Sequence, residues 1–108
     1  MDPNEVTQQD PHFYDRADAH IHLSNEQTQE QTPGKVSASM MYATARFNAW
    51  WAACGYSNGE EFAESRQEHI EYYVEQYRSM LEENLDDYSS NFNSYILQGA
   101  EPKSDVIN

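Results

Sequence analysis

The sequence predicts an all-α protein, an antiparallel three-helix bundle whose third helix is long and bent or broken near Ser89. Two observations carry this. Apolar residues recur three and four apart over most of the 108 residues, which is the period of one helix face. Three helix-start signals divide the chain: Asp10-Pro11, Thr32-Pro33 and Ser57-Asn58-Gly59-Glu60-Glu61. A cap residue followed by proline suits a first helical turn. The third signal holds two overlapping capping boxes, Ser57 with Glu60 and Asn58 with Glu61. The length fits one domain, expected over residues 1–98, large enough to bury a core without disulfides or metal.

Residues 1–9 are polar and aperiodic and read as a loose arm. The first helix is expected over about 11–31, with Phe13, Tyr14, Ala17, Ile21 and Ser24 on one stripe and Leu23 widening it. The second is expected over about 33–54, where Gly55 offers a stop. Met40, Met41, Tyr42, Ala45, Phe47, Ala49, Trp50, Trp51, Ala52 and Ala53 spread apolar character all round it, the pattern of a central, buried helix. The third is expected over about 59–97, with Phe62, Arg66, Ile70, Tyr73, Val74, Tyr77, Leu81, Leu85, Tyr88, Phe92, Tyr95 and Ile96 along its stripe. At 1.5 Å per residue it would run roughly 55–60 Å, against roughly 30 Å for each neighbour. Two helices cannot cover it. Either it breaks in the helix-poor run Asp86, Asp87, Ser89, Ser90, Asn91 and Asn93, or Leu81, Leu85, Tyr88, Phe92, Tyr95 and Ile96 pack against a second copy. Residues 99–108 read as a flexible tail.

Acidic residues number 19 against 6 basic, a formal charge of −13. Phosphate would be repelled, which argues against nucleic acid and anionic lipid as partners. A basic protein partner is permitted. Val36 to Tyr56 is long enough to span a bilayer, but Arg46 and Asn48 sit at its middle, where charge is costly in lipid. A secretion signal is not visible at the N-terminus. One cysteine, Cys54, cannot form an intramolecular disulfide, so a reducing cytoplasm is expected.

Three stretches carry a family resemblance. They are Phe13-Tyr14 with Ala17-Asp18, Ile21 and Leu23-Ser24-Asn25; then Met41-Tyr42-Ala43-Thr44-Ala45-Arg46-Phe47-Asn48-Ala49; then Tyr72 through Leu81 with Glu83-Asn84-Leu85-Asp86-Asp87-Tyr88. On these the chain resembles, over roughly residues 12–95, a family of small bacterial proteins known as domain of unknown function 3144. The Ala-Arg-Phe-Asn-Ala segment is its most specific part. The resemblance implies a helical protein, mostly proteobacterial, and implies no activity. His20 and Ser89-Ser90 depart from the family's usual aromatic and helix-forming residues.

Arg46 lies in a stretch, Val36 to Gly59, without an acidic residue. A buried guanidinium needs a carboxylate, because an unpaired buried charge is very costly. Asp18 is the expected partner, with Asn25 and Asn48 completing a polar network that fixes helix register. The functional alternative is a small-molecule or metal-binding protein using Asp18, His22 and Arg46. Asp15, Asp18, His22 and Glu26 share one helix face and are weak metal-ligand candidates. His20 and His22 stand about 200° apart on a helix and cannot share an ion. Paired Glu-x-x-His motifs for a bundle di-metal site are missing, and Gly34-Lys35 lacks the rest of a phosphate loop. Cys54, at a helix C-terminus where a thiolate is disfavoured, is expected to fill core. No cofactor and no catalytic residue is expected.

From Glu60 to Asp87 the third helix carries ten acidic residues against Arg66 and Arg78. An aromatic stripe beside an acidic band suits a helix that binds a partner or pairs with itself. The sequence therefore reads as a non-enzymatic interaction or assembly protein that self-associates through its third helix. The alternative is an acidic adaptor for a basic protein.

Overall fold

The computed structural model of the chain describes residues 10–98, and every regular element among them is helical. The expected arm at 1–9 and tail at 99–108 lie outside the described residues. Helix α1 spans Phe13–Gln27 and α2 spans Pro33–Ala53. Helix α3 spans Gly59–Glu64, α4 spans Arg66–Ser90, and a π-helical turn covers Asn93–Leu97.

The start signals act much as the sequence suggests. Asp10 accepts the His12 N–H at 3.1 Å and pairs with Arg16 one turn on, so helix begins at Phe13 rather than Pro11. That guanidinium holds the Asp10 carboxyl below its usual value. Thr32 is the N-cap of α2, with Pro33 in its first turn. Of the two capping boxes the structure uses Asn58, whose Oδ1 accepts the Glu61 N–H at 2.9 Å.

Helix α1 lays its stripe on α2. Phe13, Tyr14, Ala17, Asp18, Ile21, Ser24, Asn25 and Thr28 are half-buried, and the Ser24 hydroxyl reaches the Met40 sulfur at 3.1 Å. Val36, 5 % exposed, is the buried residue of α2; full burial of such a side chain stabilises by about 1.5–3 kcal/mol. Leu23, expected to widen the stripe, instead points outward.

The third helix is two helices. The Ser65 hydroxyl and N–H both turn back to the Phe62 carbonyl, at 2.7 and 3.1 Å. Ser65 takes φ −90°, ψ 4° and separates α3 from α4. The α-helical run then stops at Ser90, within the helix-poor stretch. Side-by-side packing is concentrated in α1 on α2 and α3 with α4; three further pairs of elements touch lightly.

The expectation of a helix buried on all sides is corrected. Met41, Phe47, Trp50 and Trp51 of α2 are all more than half exposed. The error lay in taking all-round apolarity as burial within one chain, when neighbours cover only the α1 side and the C-terminal end. Cys54 is corrected with it: the thiol is exposed at the α2 terminus.

Candidate functional site

Two surfaces stand out. The first runs along α4. His69, Tyr73, Gln76, Met80 and Asp87 are half-buried and form the side turned to the rest of the chain. Ile70, Val74, Tyr77, Leu81 and Leu85, spaced four, three, four and four, form a second stripe that is exposed throughout. The stripes are one residue apart in register, about 100° round the helix. The face that packs is thus not the more apolar face. Phe92, Ile96 and Leu97 continue the exposed apolar surface past Ser90.

Within the candidate interface the structure divides the residues. Tyr88 and Tyr95 stack edge-to-face at 4.8 Å, and the Tyr95 hydroxyl donates to Asp87 Oδ1 at 3.4 Å. Tyr95 is buried, and loss of water around it raises its phenol pKa, with the Asp87 carboxylate adding to the effect. Leu81, Leu85, Phe92 and Ile96 remain outward.

The second surface lies at the elbow between α2 and α4. Trp51, Ala52, Cys54, Gly55, Tyr56, Glu68, His69, Tyr72 and Tyr73 line an open groove of about 680 Å³. Tyr56, Phe62 and His69 hold the elbow: their rings sit 5.3–5.9 Å apart, and the Tyr56 hydroxyl is bonded to His69 Nε2 at 2.8 Å. On the outer side of α2, Phe47, Trp50 and Trp51 form a chain of rings at 5.3 and 6.1 Å. The sequence contained a signal for the elbow, since Phe62 and His69 are seven residues apart and share a helix face, but the break at Ser65 hid how they meet Tyr56.

The expected polar network does not assemble. Arg46 is exposed, and the ion pairs of the described residues do not include it. With α2 uncovered on that side, its guanidinium meets water and needs no carboxylate. Asp18 is half-buried and approaches His22 Nε2 at 3.5 Å through Oδ2, while its Oδ1 is buried without a hydrogen bond. Asn25 and Asn48 are half-buried on α1 and α2. Of the weak metal candidates, Asp18 and His22 come within 3.5 Å of each other, whereas Asp15 pairs with His12 at 3.1 Å and Glu26 is exposed. Among the described residues, no three His, Cys, Asp or Glu side chains converge as a metal-holding group. No helix among them is long and apolar enough to cross a membrane.

Residues 13–89 match the model of a family described as Protein of unknown function (DUF3144). The chain belongs to this family. A solved relative, the NMR structure of protein NB7890A from Shewanella sp, is 39 % identical, covers 82 % of this chain and 94 % of its own, and superposes with a TM-score of 0.68. No curated protein matches the chain. The DUF3144 match takes in the elbow, its groove and all of the α4 stripe, and ends one residue before Ser90.

Proposed function

We propose that this DUF3144 protein is a non-enzymatic assembly protein of the cytoplasm that pairs with a second copy of itself through α4. The observation that carries the reading is the exposed stripe Ile70, Val74, Tyr77, Leu81 and Leu85, which lies about 100° from the face α4 turns to its own chain. Five exposed apolar residues at helix spacing, with Phe92 and Ile96 exposed beyond them, make the kind of surface that marks an interaction site. A second copy is a fitting occupant because the stripe is complementary to itself: two apolar faces at helix spacing interlock ridge into groove. The paired α4 helices then supply the bundle packing that one chain forms only in part. A single cysteine in 108 residues fits a reducing compartment.

The test is the mass of the untagged protein in solution, by light scattering after gel filtration, across a salt series. Each chain carries −13, so screening should strengthen the pairing as salt rises. A single-chain mass at every concentration and salt level would remove the basis for the proposal.

A further inference from the structure

The elbow groove faces away from the proposed seam. Ile70 and Tyr72 are two positions apart, about 200° round α4, so pairing through the stripe leaves the groove open. The groove is lined by the rings of Trp51, Tyr56, His69, Tyr72 and Tyr73, and Glu68 is its acidic lining residue. Neither lysine nor arginine lines it. Trp51 and Tyr72 are both exposed, at 64 % and 44 %, and Tyr73 braces Tyr72 edge-to-face at 5.1 Å.

Aromatic faces beside a carboxylate favour a cation. The rings attract it through their quadrupoles, and the carboxylate neutralises it. Charge on the flank points the same way. Glu68, Glu71, Glu75 and Glu82 follow one another along the exposed side of α4 next to the groove, and Arg78 pairs with Glu75. In a chain of −13 this field repels an acidic ligand, and a purely apolar ligand would strip water from Glu68 without replacing it. The groove is open to solvent, so a side chain of a partner can enter it.

We propose that the elbow groove docks a basic segment of a partner protein, seating a lysine or arginine side chain against Trp51, Tyr72 and Glu68, with further basic residues along the Glu71–Glu82 flank. Docking and self-pairing use different faces of α4, and neither requires the other. They also respond oppositely to salt: pairing of like-charged chains strengthens, whereas docking of a basic segment weakens.

The test titrates the full-length ¹⁵N-labelled chain with a short peptide alternating lysine and glycine, at low salt. Light scattering on the same samples gives the assembly state. The expected result is movement of the Trp51 indole N–H and of the Glu68, Tyr72 and Tyr73 amides. Trp51→Leu and Glu68→Gln should each raise Kd roughly 3- to 30-fold, the range of a cation–ring contact. The same peptide with acetylated lysines should not bind. Where Trp51→Leu lowers the helical signal, Tyr72→Leu gives the same reading from the other wall. No movement at millimolar peptide overturns the proposal. So do shifts spread evenly from Glu60 to Glu82 that survive Trp51→Leu and Tyr72→Leu, since they would mark diffuse attraction to an acidic helix.

Discussion

Leu85→Glu probes the pairing surface where the chain itself invests least. Leu85 is 59 % exposed, so its removal costs the single chain little. Full burial of a leucine stabilises by about 1.5–3 kcal/mol, and covering the exposed share would contribute roughly 0.9–1.8 kcal/mol per chain. A two-fold interface repeats each contact, which brings the pair to about 2–3.5 kcal/mol. That corresponds to a dissociation constant raised roughly 30- to 400-fold. Two carboxylates set against an apolar surface add to the loss. Light scattering over a dilution series should give twice the 12.5 kDa chain mass for the wild type and 12.5 kDa for the variant. Circular dichroism should show the same helix content in both. Glu82→Gln, on the acidic side of α4, should leave pairing intact or strengthen it. A variant that pairs as tightly as the wild type would refute the placement of the seam.

Three further outcomes follow from local geometry. Asn58→Ala removes the acceptor that holds the Glu61 N–H, at a cost of about 1 kcal/mol, and should lower the thermal midpoint by roughly 4–8 °C; an unchanged midpoint would show that the cap contributes nothing. Cys54 should take up a thiol reagent stoichiometrically in native buffer, because it is exposed, whereas resistance until denaturant is added would mean the thiol is covered. Asp10 titrates below its usual value because Arg16 binds its ionised form. Its contribution is therefore present above the ordinary aspartate pKa of about 3.9 and is lost as pH falls through the lowered value. In Arg16→Gln the Asp10 carboxyl, followed by NMR, should return to the ordinary range, and failure to move would point to another cause.

Helix positions were largely legible because their signals are local. Thr32-Pro33 and Asn58 act within one turn of themselves, and the α1 stripe from Phe13 to Ser24 matches the half-buried positions of the folded chain. Which apolar residues are covered was not legible. Trp50 and Trp51 look like core by composition, yet their burial depends on whether another helix lies over them, and both are more than half exposed. The Asp18–Arg46 pairing failed for the same reason, since it assumed a neighbour on the Arg46 side of α2. Tyr95 belongs to the apolar stripe by period, yet it is buried against Tyr88, its neighbour seven residues back on the same face, while Leu85 and Phe92 stay outward. The elbow groove was hidden because Trp51 and Tyr72 come to line one groove only through the chain's change of direction.

The joint at Ser65 also has a mechanical side. Leu85 lies twenty residues beyond it, about 30 Å along α4 at 1.5 Å per residue. One degree of rotation at the joint therefore carries Leu85 through about 0.5 Å. A side chain's spacing at the far end, roughly 5 Å, corresponds to about ten degrees at Ser65. The ring cluster of Tyr56, Phe62 and His69 sits at the fulcrum, with the elbow groove beside it and the outward leucines at the tip. Small adjustments among those three rings are thus magnified along the arm, and substitutions there should change where the tip lies without touching any residue on it.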